Sequence, residues 1–153
     1  MANTYSQLHV QTVFAVKRRN ALLMSAWRFE VLGVIGQLIN RNKCTTFIVN
    51  GVDDHVHCFF GLHPSISISA LMKNVKSLSS KYINESKLTA NRFEWQKGYA
   101  AFSYHHSFKN YIYEYVLNQE KHHKKVTFRE EYLTMLKEFD IQYDNKFIFE
   151  DLI

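Results

Sequence analysis

The stretch Asn50-Gly51-Val52-Asp53-Asp54-His55-Val56-His57-Cys58-Phe59-Phe60-Gly61-Leu62 decides the fold. Asn-Gly is a strong hairpin signal, because both residues tolerate positive φ. Asn50-Gly51 therefore predicts a turn, and everything after Asp54 reads as the strand leaving it. Side chains alternate along a strand, so Val56, Cys58, Phe60 and Leu62 take one face and His55 and His57 the other. The apolar set is the buried one. The other face presents two imidazoles roughly 6.5–7 Å apart at Cα. That arrangement suits a divalent metal with two nitrogen ligands and others still to find.

Upstream, Leu8, Val10, Thr12, Phe14 and Val16 alternate with Gln7, His9 and Gln11, which predicts a half-buried strand within residues 4–16. It ends in Lys17-Arg18-Arg19, either a solvated loop or, at the edge of a nucleic-acid groove, a phosphate clamp. Ser25 is expected to cap a helix reaching about Asn42, with Trp27, Val31, Val34, Ile35 and Leu38 as its buried stripe. Thr45 to Asn50 reads as the second strand.

Downstream, Pro64 stops the histidine strand, and Ser67 or Ser69 starts a helix running to about Asn84. Leu71, Met72, Val75, Leu78 and Tyr82 form its apolar stripe. Lys73, Lys76, Ser77, Ser80 and Lys81 occupy the other side, either a wet face or a row of phosphate contacts. Residues 85–98 read as irregular, anchored by Trp95. Tyr99 to Tyr104 is a fourth strand, and a third helix is expected from about Ser107 to about His122. Phe128, Tyr132, Leu136 and Phe139 recur at near-helical spacing in the tail, which predicts a packed extension.

The order strand, helix, strand, strand, helix, strand gives an α+β fold: the split βαβ pattern of ferredoxin-like and RNA-recognition-motif (RRM-like) folds. It places both helices on one face of an antiparallel sheet. The face with His55 and His57 is left for a ligand or for the added C-terminal helix.

At 153 residues, with 46% hydrophobic content, one Pro and five Gly, a single domain over 1–153 is expected, its core at about 4–123 and an extension at 124–153. The net charge of +5 is compatible with a polyanionic partner. No apolar run approaches the ~20 residues of a membrane span, and the polar N-terminus lacks a signal-peptide core, so a cytoplasmic protein is expected. Cys44 and Cys58 read as core thiols in predicted strands.

The third helix holds Tyr111, Tyr113 and Tyr115, and only Tyr115 has a ligand-capable residue four positions on, Gln119. That offset puts both side chains on one helix face. Laid over the histidines, Gln119 would supply an oxygen ligand and Tyr115 would point at whatever the metal holds. His9, His105-His106 and His122-His123 are further imidazoles without an assigned part.

Together, His55-Val56-His57 and Tyr115-Val116-Leu117-Asn118-Gln119 resemble the signatures of the single-tyrosine HUH transposases of small bacterial insertion sequences, the two-hundred-like insertion-sequence family. REP-associated tyrosine transposases are close relatives. The resemblance extends to Asp54, Ser79-Ser80-Lys81 and Trp95-Gln96-Lys97-Gly98-Tyr99, and runs to about Phe128. It implies a homodimeric bacterial enzyme that cuts and rejoins single-stranded DNA at hairpin-bearing ends, in which the histidines of one subunit can work with the tyrosine helix of the other. Tyr115 would be the nucleophile, joined to a 5′ phosphate. His55, His57 and Gln119 would hold Mg2+ or Mn2+, and Lys17, Arg18, Arg19, Lys73, Lys76 and Lys81 would contact DNA. No GxxxxGK[ST] loop occurs, so no nucleotide cofactor is expected. A domesticated REP-associated relative acting on palindromic repeats, a non-catalytic nucleic-acid-binding module and a small-molecule metalloenzyme are the other readings.

Overall fold

The period-two pattern forms the sheet as expected. In the computed structural model, which describes residues 3–150 and 152–153, the chain runs β1 (His9–Ala15), α1 (Arg28–Arg41), β2 (Thr45–Gly51), β3 (His55–Gly61), α2 (Ile68–Glu85) and β4 (Ala100–Tyr104). A 3₁₀ turn (His106–Phe108) then leads to α3 (Lys109–Leu117), α4 (Gln119–His122) and α5 (Phe128–Glu138). The sheet is antiparallel, in the order β2-β3-β1-β4. Among the described residues no helix is long and apolar enough to cross a membrane.

Residues directly paired across a ladder share a face. Val10 pairs with Phe60, Thr12 with Cys58 and Phe14 with Val56. The apolar members of that set pack with Val31, Ile35 and Ile39 of α1 and with Leu71, Met72 and Val75 of α2. The alternate set places Gln11 opposite Phe59, Val13 opposite His57 and Ala15 opposite His55. This second face is also covered. Phe59 packs on Ile112 and Val116 of α3, and Val13 on Met135 and Leu136 of α5. β1 is therefore buried along its whole length rather than half-buried.

Several expected boundaries move for tertiary reasons. Asn50-Gly51 does not form the turn; both belong to β2, and Val52 to Asp54 connect the strands. Gly51 pairs with Val56, and a Cβ there would collide with the His55 carbonyl, so the glycine answers to a close strand approach. Asn50 donates its side-chain amide to the carbonyls of Val116 and Leu117, both at 3.0 Å, tying the end of α3 to the sheet.

Ser25 is not the cap of α1, which begins after Trp27 with no side-chain cap. The buried Arg28 fixes that start by donating Nε to the Leu23 carbonyl at 3.0 Å. Ser67 does cap α2, accepting from the Ala70 amide. The buried stripe of α2 takes Ser79 and Ile83 in place of Leu78 and Tyr82. Trp95 explains the exchange: its Nε1 donates to Ser79 Oγ at 3.0 Å while its ring packs edge-on to Phe14. The third helix breaks at Asn118 into α3 and α4.

The tail packs in part: Met135, Leu136, Ile148 and Phe149 are buried, while residues 137–147 are exposed. Thr127 and Glu130 form a reciprocal capping box that starts α5. Cys44, just ahead of β2, and Cys58 are buried free thiols, and burial pushes Cys58 up to about 12.

Two glycines give opposite expectations. Gly51→Ala should lower stability by about 1–3 kcal/mol through forced strand separation. Gly33→Ala meets nothing within 4 Å in a helix interior, so it should raise stability by roughly 0.5–1 kcal/mol. Urea denaturation of the two variants checks both signs.

Candidate functional site

The pleat of β3 sends His55 and His57 to the face covered by α3, α4 and α5, where both side chains are fully buried. Each imidazole is oriented by an acceptor at its Nδ1. His55 Nδ1 donates to Asp54 Oδ1 at 2.7 Å and His57 Nδ1 to Gln11 Oε1 at 2.6 Å. A third imidazole follows the same rule: His123, just after α4, donates Nδ1 to the Val126 carbonyl at 2.7 Å. With Nδ1–H fixed in this way, neutral imidazoles present bare lone pairs at Nε2.

All three Nε2 atoms converge on one carboxylate, Glu131 of α5. Its Oε1 lies 3.3 Å from His55, 3.1 Å from His57 and 2.9 Å from His123. Gln119 Oε1 joins them, 3.3 Å from His55 and 3.0 Å from His123. The Gln119 amide is held the right way round because its Nε2 donates to Glu131 Oε2 at 3.0 Å.

Five acceptor atoms thus face one point with their own donors turned away. Such a set needs a cation among it, a proton or a metal ion. His55, His57, His123 and Glu131 have ligand atoms within 4.8 Å of one another and could hold a metal. Gln119 stands beside them. Three imidazole nitrogens with carboxylate and amide oxygens form a mixed donor set of the kind that takes a divalent transition ion.

The electrostatics agree with that demand for positive charge. Burial alone would raise the Glu131 carboxyl, but the imidazoles of His57, His123 and His55 outweigh it and hold it far below the usual carboxylate range. Burial lowers His57, and the neighbouring imidazoles His55 and His123 add to that. Burial also works against a proton on His55, yet its bonds to Asp54 and Glu131 prevail and raise it. The Phe128 ring stacks on His55 at 4.0 Å between centroids and shields it from solvent.

Tyr115 completes the group. Its hydroxyl donates to Glu131 Oε2, and its ring meets His57 edge-on at 5.8 Å. Tyr111 and Tyr113 point away, 70% and 38% exposed. Burial, then the charge of Glu131, pushes the Tyr115 phenol well above its ordinary value.

The six basic residues do not gather in this way. Lys17 and Arg18 reach Glu94, at 3.3 Å and 3.6 Å, and Arg19 donates to the Leu152 carbonyl at 3.2 Å. They follow β1 at the sheet end that carries His55. Lys73, Lys76 and Lys81 ride on α2, across the sheet from the site. Lys73 is exposed, and Lys81 stands 3.9 Å from Glu85. Lys76 has another task. Its ammonium donates to the carbonyls of Gln96 and Gly98 at 2.7 Å and 2.6 Å, and burial lowers it to about 8.

Sequence reasoning missed Glu131, the hub of the site, and the part taken by His123 and Gln11. One signal was present. Glu131 sits at helical spacing between Phe128 and Met135, a carboxylate inside an apolar stripe.

A family model described as "Transposase IS200 like" matches residues 4–119. No curated protein matches the chain. Two solved structures share the fold. A putative transposase from Deinococcus radiodurans superposes with a TM-score of 0.61 at 17% identity, over 78% of this chain and 95% of that one. A REP-associated tyrosine transposase bound to a REP hairpin superposes with a TM-score of 0.59 at 14% identity, over 100% of this chain and 98% of that one.

The depressed Glu131 carboxyl has a consequence for acid stability. Its contribution is fully present above the unfolded-state value of about 4.3 and is lost as pH falls from there toward the lower folded value. Glu131→Gln should unfold about 3 kcal/mol more easily at pH 7 in metal-free buffer, and lose less further stability between pH 5 and pH 3. Urea titrations across that range check both statements, and a wild-type acid limb in the variant would contradict them.

Proposed function

The chain belongs to the IS200-like transposase family, and from that premise we propose that it cuts and rejoins single-stranded DNA at hairpin-bearing element ends. The observation that carries this reading is the placement of Tyr115. Of the three helix tyrosines it alone lies against the histidine cluster, its hydroxyl on Glu131.

The chemistry is a transesterification. The Tyr115 oxygen attacks a phosphodiester phosphorus, and the bond from phosphorus to the 3′ oxygen breaks. The 5′ phosphate stays on the tyrosine and a 3′ hydroxyl leaves. Because burial and Glu131 hold the phenol well above its ordinary pKa, the proton leaves as the new bond forms rather than beforehand. Glu131 Oε2 accepts that hydrogen bond and so orients the phenol oxygen, while water carries the proton to the departing 3′ oxygen. The phosphotyrosine keeps the energy of the cut bond, so rejoining by a 3′ hydroxyl needs no nucleotide cofactor.

His55, His57 and Gln119 would hold the divalent ion that the resemblance implies, with His123 and Glu131 reaching the same point. When bound, such an ion polarises the phosphate and offsets the charge that develops on its oxygens. The nitrogen-rich donor set favours Mn2+ over Mg2+.

A second reading keeps the chemistry and changes the target: a domesticated relative acting on palindromic repeats. The likeness to a REP-associated transposase held on a REP hairpin favours it. Hairpin-forming ends bracketing the gene would favour the mobile element instead. A binding module of the RNA-recognition kind fits poorly. It needs an open sheet face with exposed aromatics, and here that face lies under α3 and α5. The resemblance also implies a homodimer, in which the histidines of one subunit can work with the tyrosine helix of the other; within one chain Tyr115 already lies against His57. Molar mass in solution, with and without DNA, tests for it.

Purified protein with Mn2+ and single-stranded DNA from the gene's flanks should form a covalent protein–DNA adduct. Tyr115→Phe should abolish the adduct and leave DNA binding within about threefold, below the 1.4 kcal/mol that marks a factor of ten. Adduct formation by that variant, seen on a denaturing gel, would remove Tyr115 from its role. His57→Ala should weaken Mn2+ binding at least tenfold by titration calorimetry.

A further inference from the structure

A cavity of about 640 Å³ opens between α3 and α5, with Tyr115 and Glu131 at its inner end. One wall is Tyr104 of β4 and Phe139 just after α5, their rings edge-to-face at 5.5 Å. The other wall is Phe108 and Tyr111, which are 53% and 70% exposed and serve no core. Phe139 is itself 37% exposed. Large aromatics left open to water on both sides of one slot, beside a nucleophile, point to a flat apolar occupant.

The charge of the slot narrows the choice. Among the described residues no Lys or Arg lines it, and besides the tyrosines its titratable groups are Glu131, Glu138, His105 and His122. The aromatic walls offer a phosphate no permanent positive charge, whereas an uncharged ring can stack on them. On the other side of α5 a cavity of about 550 Å³ carries Arg19 and Arg129 together with Asp54 and Glu150. One helix therefore separates a hollow of mixed charge from one walled by aromatic rings.

We propose that the slot between α3 and α5 receives one unpaired nucleobase of the bound strand, the base adjoining the phosphate that Tyr115 attacks, stacked on Phe139 and Tyr111. The proposal rests on the DNA-cutting reading above and adds a subsite to it. Drawing one base out of the strand turns its backbone at that point and presents the neighbouring phosphate to the Tyr115 hydroxyl. Stacking tolerates any base, so the subsite sets the position of the cut rather than its full sequence.

The test uses the full chain with Mn2+ and a single-stranded, hairpin-bearing oligonucleotide from the flank of its gene. Each nucleotide in turn is replaced by an abasic one. Loss of a single base next to the cleaved bond should weaken binding about tenfold. In Tyr111→Ala and in Phe139→Ala that penalty should fall below about twofold, because the stacking partner is already gone. Tyr111 is mostly exposed, so its variant retains the fold, and a thermal melt checks that Phe139→Ala does too.

A scan with no position-specific penalty, or a penalty unchanged in both variants, overturns the subsite. So does a flat scan in which a small aromatic compound stabilises the DNA-free protein through Tyr111. If the wild-type chain forms an adduct while the scan is flat, only the subsite falls. If it neither binds nor cuts the strand, the DNA-cutting reading falls with it.

Discussion

Three imidazoles can aim their lone pairs at one carboxylate only if something else holds their protons. Asp54, Gln11 and the Val126 carbonyl do this, one for each ring. Remove any of them and the ring is free to turn its N–H inward, where the set loses its appetite for a cation. The sheet register stands behind that arrangement. Gln11 and His57 lie on neighbouring strands because Val13 pairs with His57 and Gln11 with Phe59. A slip of one residue would put both histidines among the α1 and α2 side chains.

This constraint also explains why so much of the chain is gathered over one face of the sheet. A carboxylate with three imidazoles is unfavourable in a dry interior unless every lone pair and proton has a partner. α3 and α4 bring Tyr115 and Gln119, α5 brings Glu131, and Phe128 seals the His55 ring. Asn50 anchors the far end of α3, so the helix bearing Tyr115 is fixed to β2 as well as packed on it.

Much of this was legible in the chain. Strict alternation revealed β3 and its two faces, and the strand and helix order revealed the sheet. The offset of four between Tyr115 and Gln119 separated that tyrosine from Tyr111 and Tyr113. What escaped were residues whose reasons lie far away. Asn50 and Gly51 look like a turn locally, yet one serves α3 and the other makes room for the His55 carbonyl. Lys76 looks like one of a row of surface cations, yet two carbonyls of the 96–98 segment hold it. Glu131 lies 74 residues from His57, and no local rule links a helix position in the tail to a strand in the core. Its place in an apolar stripe was the one trace it left.

Where the Tyr115 that acts is the one beside its own chain's histidines, the arrangement has a kinetic meaning under the proposed chemistry. A centre shared between subunits dissolves on dilution, so its turnover falls faster than protein concentration. A centre complete in each chain keeps its full rate per molecule however scarce the protein becomes. A cell could then hold such an enzyme at a few copies and still have every copy competent, with the abundance of unpaired DNA, rather than encounters between proteins, setting how often it acts.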